Sequence, residues 1–262
     1  YDESELELQK LLEEVFSPHN RVPKDLKIDD SDVPEFPNFY SFCMSKQGIN
    51  IPPFARQLAT ATHLFGEWCP GKKCSHPAIR DIRKIPVDKN PHDFPEKVTF
   101  LEFGICPKCG IGKREWVEKG MLYHYSSLSM CLGQRSGKSV FISLLSAYLL
   151  HKYLKLQKPA QVLGLMSNSI LTAPFVSLTF KKAVDLLWKP LHNIIHDSPW
   201  FTAYFTVLDH YGKLYGEELY KFKDQIVEFP SKGIAMFPSG PNKRTLRGDT
   251  RFLGVIDELG WF

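Results

Sequence analysis

Three groups of residues in this chain have types and spacings that could do chemistry. The first is Gly133-Gln134-Arg135-Ser136-Gly137-Lys138-Ser139. It follows the apolar run 128–132 and opens a long apolar stretch from 138 to 156. Strand, glycine-containing loop and helix in that order aim backbone N–H groups at a phosphate. Gly137 lets the backbone approach the anion, Lys138 can bridge β- and γ-phosphate oxygens, and the Ser139 hydroxyl can hold Mg²⁺. The usual phosphate-loop pattern has its first glycine at the place of Leu132; here Gly133 stands one residue later. The second group is Asp257-Glu258, at the end of the apolar run 252–256. At a strand tip Asp257 would bind Mg²⁺ through water, and Glu258 would polarise the water that attacks the γ-phosphate.

The third group is a pair of cysteine pairs. Cys106-Pro107-Lys108-Cys109-Gly110 has the form of a zinc knuckle, and Cys69-Pro70-Gly71-Lys72-Lys73-Cys74 is a looser half with four intervening residues. Four thiolates spaced in this way can wrap a tetrahedral ion, with His76 as a substitute ligand. The competing reading is two pairs of buried thiols. A closed four-cysteine site would make the metal, Zn²⁺, structural. Cys43 and Cys131 have no close partner in sequence and read as core thiols.

The elements needed to position these groups can be sketched from periodicity. Residues 4–16 read as a peripheral helix capped by Ser4, and 17–37 as a Pro- and Asp-rich linker. Residues 66–118 are rich in Pro, Lys and Cys, with strand-like pieces such as 98–103. Beyond them the pattern turns α/β: a strand at 128–132, a helix at 138–156, a strand at 161–166, and a helix over 172–195 bent near Pro190. Paired strands at 225–229 and 233–237 and a buried strand at 252–256 follow. Alternation of this kind predicts a mostly parallel central sheet flanked by helices. The expected organisation is an ATPase segment at 1–65 containing the N-terminal helix and linker, a zinc-ribbon-like insertion at 66–118, and a phosphate-loop core at 119–262.

Composition narrows the class without deciding it. Apolar residues make up 43% and charged residues 24%, which is ordinary for a packed globular chain. The net charge of +4 is too small to identify a nucleic-acid binder. The acidic N-terminus does not resemble a targeting peptide, and no apolar run is long enough for a membrane span. Both ends read as cut, so the chain is expected to be a fragment.

Ser239-Gly240-Pro241-Asn242-Lys243-Arg244-Thr245-Leu246-Arg247-Gly248, followed by 252–258, resembles the terminase large subunits of tailed phages. That family has Leu-Arg-Gly shortly before the strand carrying Asp-Glu. Its phosphate loop also commonly lacks the first glycine and carries an arginine; here Gln134 stands at the usual arginine position and Arg135 beside it. Ile51-Pro52-Pro53-Phe54-Ala55-Arg56-Gln57 is similar to the family's adenine-recognition segment, which implies that Gln57 reads the base edge. The resemblance covers about 50–60 and 120–262. It implies an additional-strand P-loop NTPase fold and ATP hydrolysis that moves double-stranded DNA into a procapsid in the host cytoplasm. It also implies a ring of copies on a portal protein, and a terminase small subunit that selects the DNA. The family's nuclease domain would lie beyond Phe262. Arg247 and Arg251 are candidates to contact DNA or to reach a neighbour's nucleotide. Two rival readings remain: a helicase-like or remodelling P-loop ATPase, and a non-catalytic zinc module that binds nucleic acid.

Overall fold

The computed structural model describes residues 10, 26, 28–75, 85, 98–123, 125–130, 137–241 and 250–257. The helix expected at 4–16, the loop residues Gly133, Gln134, Arg135 and Ser136, and His76, Cys131, Arg247 and Glu258 fall outside these residues, Lys10 apart. The chain divides into two compact units. One holds Pro34–Phe141 with Ser198–Trp200; the other holds the remainder.

In the first unit, α1 (Phe39–Met44) starts at Asn38, whose side chain accepts the N–H of Ser41 at 2.9 Å and donates to the carbonyl of Leu101 at 3.0 Å. A cap that also reaches 63 residues along the chain fixes the helix against the cysteine-rich loops. Phe39, Phe42 and Cys43 are buried beneath it, with Phe42 packed against Phe36 and Trp200. Helix α2 (Ala55–Leu64) buries Ala55, Leu58, Ala59, Ala61 and Thr62 on one stripe. Helix α3 (Lys113–Glu118) buries only Trp116, and Lys113 donates to the carbonyl of Phe65 at the end of α2.

Helix α4 (Lys138–Lys155) is followed by the short α5 (Pro159–Val162). The strand expected at 161–166 is therefore absent. Pro159 starts a helical turn there, Gly164 closes it at φ +74°, and Val162, Leu163 and Met166 are left exposed. The strand comes later, as β1 (Leu171–Val176), within residues expected to be helical. Helix begins only at α6 (Phe180–Lys182), capped by the Thr179 hydroxyl. It widens to π-helical turns over Ala183–Trp188 and continues as α7 (Lys189–Asp197). Pro190 stands at the end of the widened stretch. It cannot donate to the carbonyl four residues back, and its ring crowds that carbonyl, so the wide turn precedes it. Helix α8 (Pro199–Tyr215) leads to β2 (Lys221–Lys223), β3 (Ile226–Phe229), β4 (Ile234–Ser239), β5 (Thr250–Arg251) and β6 (Val255–Ile256).

The sheet is mixed, not mostly parallel. The path is β2-β3-β4-β1-β5, with β6 also on β1. Strands β2, β3 and β4 form an antiparallel meander, in which β3 and β4 are the strands expected to pair at 225–229 and 233–237, while β1 runs parallel to β4, β5 and β6. The run 252–256, expected as one strand, is split. Thr172 pairs with Arg251 and Phe175 with Val255, so two residues of β1 face three of its neighbour. This is a bulge, and Pro174 accounts for it. The N–H groups of Leu171 and Ser177 donate toward β4, while the carbonyls of Thr172 and Val176 accept from Phe252 and Asp257 on the other side. By this alternation Pro174 faces the split strand and has no N–H to offer it. Phe252, inside the bulge, packs on Tyr153 of α4 at 4.7 Å.

Candidate metal centre and phosphate site

The four predicted cysteines come together. The sulfurs of Cys69, Cys74, Cys106 and Cys109 all lie within 4.8 Å of one another, with Cys69–Cys109 at 3.7 Å and Cys74–Cys106 at 3.8 Å. Four thiolates about 2.3 Å from a zinc ion at tetrahedral angles would be about 3.8 Å apart. The donor set and its spacing fit a structural zinc. Local backbone builds each half. Cys69 N–H donates to Thr99 O and Leu101 N–H to Glu67 O, a short antiparallel clasp, and the Cys74 N–H closes a turn on Gly71 O. In the other half, Gly110 N–H returns to Cys106 O with Gly110 at φ +73°, the left-handed residue that a knuckle needs after its second cysteine. Gly71 is required for space. A Cβ there would lie 3.3 and 3.4 Å from the sulfurs of Cys74 and Cys69 and 3.6 Å from the Trp116 ring. Sequence reasoning missed the Trp116 wall; a lone Trp in a charged helix gives no signal.

The electrostatics suit a cation. Burial pushes the thiols of Cys69 and Cys74 upward. Burial also opposes ionisation of Cys106, but N–H groups of Cys109 and Lys108 and the neighbouring thiols bring it down to about 7. The Cys106 sulfur is thus poised to lose its proton, and those of Cys69 and Cys74 need the metal's charge to do so.

The residues expected to form a phosphate loop are described from Gly137 onward. Gly137 has φ +72°, and its carbonyl accepts from Phe141 N–H at 3.0 Å, the first turn of α4. Lys138 and Ser139 therefore stand at the N-terminus of an 18-residue helix, where N–H groups lack partners within the helix. The structure brings Gln57 to this glycine from 80 positions away. Its amide N–H donates to Gly137 O at 3.4 Å, and its amide oxygen accepts from Phe54 N–H at 3.0 Å. A Cβ on Gly137 would lie 3.1 Å from the Gln57 amide nitrogen. Gly137→Ala should therefore lower nucleotide affinity at least about tenfold. It forces a left-handed alanine, at a cost of about 1–2 kcal/mol, and displaces Gln57 as well; titration with a fluorescent ATP analogue checks this. The strand expected before the loop does not form at 128–130, where Leu128 is exposed.

Asp257 is buried at the tip of β6, its N–H donating to Val176 O at 2.9 Å. Arg251 is exposed in β5. No protein-family model matches the chain, and no curated protein and no solved structure matches it. No helix among the described residues is long and apolar enough to cross a membrane.

Proposed function

We propose that this chain is the ATPase part of a DNA-packaging motor of the terminase large-subunit kind, with a structural zinc in the cysteine-rich unit. The observation that carries the reading is Gly137, left-handed at the head of α4 and held by Gln57. These are the two segments that the resemblance pairs as phosphate and adenine binders. By the resemblance, Lys138 would take the β- and γ-phosphate oxygens, Ser139 and Asp257 would be the Mg²⁺ ligands, Glu258 would orient water, and Gln57 would contact the base. Mg²⁺ supplies charge neutralisation on the phosphates. The zinc holds loops that have few apolar side chains of their own and takes no part in the chemistry. Portal protein, small subunit and double-stranded DNA are the partners of this reading, and Arg247 or Arg251 the groups a neighbouring copy would contribute.

The test is ATP turnover by the purified, zinc-loaded chain, alone and with double-stranded DNA. Slow, Mg²⁺-dependent hydrolysis is expected, because a missing basic residue from a neighbour can be worth about 10³–10⁵ in rate. No metal-dependent cleavage of plasmid is expected from these residues. Strand separation would favour the helicase-like reading. Zinc binding without any Mg²⁺–ATP binding would leave the non-catalytic nucleic-acid module.

A further inference from the structure

The C-terminal tips of three neighbouring strands gather small polar residues. Ser177 follows β1, Asp257 follows β6, and Ser239 ends β4. Ser239 is satisfied locally, its hydroxyl donating to Gly240 O at 2.9 Å. Ser177 is not. It is fully buried, and its hydroxyl has no hydrogen-bond partner among the described residues. A buried hydroxyl in that condition is destabilising, and native structures keep few of them.

The register says what stands beside it. Val176 pairs with Ile256 and with Ser239. The ladder continues one step further, since Asp257 N–H donates to Val176 O at 2.9 Å and Ser177 N–H to Ser239 O at 3.4 Å. The next residues abreast are therefore Gly240, Ser177 and Asp257. Partners in a parallel ladder project from the same face, about 4.8 Å apart. Ser177 and Asp257 thus share the face that Phe175 and Val255 present two pairs earlier, and Gly240 brings no side chain to crowd them. Ligands of open α/β sheets collect at these carboxyl-end tips.

We infer that Ser177 is a positioning residue of the metal–nucleotide site, its hydroxyl holding a water of the Mg²⁺ shell that Asp257 binds. The inference rests on the Mg²⁺–ATP reading above. It explains why a polar group is buried without a partner among the described residues: its partner arrives with the metal. An alanine in its place would pack as well but hold no water.

The test uses Mn²⁺ in place of Mg²⁺ with ADP, and the whole chain loaded with zinc. Free Mn²⁺ is measured by electron paramagnetic resonance for the parent, Ser177→Ala and Asp257→Asn. Ser177→Ala should raise the Mn²⁺ concentration for half-saturation about 2–10-fold, the worth of one hydrogen bond. Its melting temperature without Mn²⁺ or ADP should be unchanged or higher, because the unpartnered hydroxyl is gone. Weaker Mn²⁺ binding in Asp257→Asn with parent-like binding in Ser177→Ala would overturn the inference and leave the ATP reading standing. So would a lower melting temperature of metal-free Ser177→Ala, which would make the hydroxyl structural. A parent that binds no Mn²⁺–ADP would remove the ATP reading, and this inference with it.

Discussion

Glu258→Gln is expected to bind ATP as tightly as the parent chain and to hydrolyse it about 10²–10⁴-fold more slowly. The substitution keeps size and hydrogen-bonding capacity and removes only the carboxylate proposed to orient and activate water. Two further variants separate the roles. Asp257→Asn weakens the metal shell, so hydrolysis should fall together with Mg²⁺ affinity. Lys138→Ala should damage binding and turnover together, because in the proposed site the ammonium would meet the phosphates in ground and transition states alike. Nucleotide titrations and single-turnover rates on folded variants distinguish the three patterns. Parent-like turnover in Glu258→Gln would take the acidic pair out of the reaction and remove the strongest support for a packaging ATPase.

The second large effect concerns the metal. The purified chain should carry about one zinc ion, and Cys106→Ser should lose it. Structural zinc can supply roughly 10 kcal/mol of apparent folding energy, more than a region built on Trp68, Leu101, Trp116 and a few hydrogen bonds can replace. The cysteine-rich loops should then become open to protease, and a chelator should do the same to the parent. Elemental analysis and limited proteolysis test this. A protein free of metal and still protected would show that the four thiols need no ion.

How far these sites could be read from sequence follows from the kind of signal each carries. The cysteine cluster was legible because ligand spacing is a local property, and both pairs lie in short loops. The head of α4 was legible for the same reason, through Gly137 and Lys138. The sheet was harder. Residues 171–176 are apolar on both faces and contain Pro174, so nothing in the pattern separates a central strand from a buried helix. The apolar run 161–166 is the reverse case, strand-like in composition yet ended by Pro159 and Gly164. The turn to antiparallel pairing beyond β4 depends on which strands become neighbours, and no single stretch of sequence encodes that. Ser177 was passed over because one serine after an apolar run has no meaning until the strand beside it is known.

The bulge opposite Pro174 governs more than hydrogen bonding. Side chains along a strand alternate between faces, so one extra residue changes the parity of all that follows. Were residues 252–254 paired one to one with β1, with Arg251 still beside Thr172 and no bulge, Asp257 would overshoot Ser177 by one position and project from the opposite face. The bulge in that three-residue segment thus carries information that its side chains do not. An acidic group's direction is set by an imino acid far earlier in the chain, through a hydrogen bond that cannot be made.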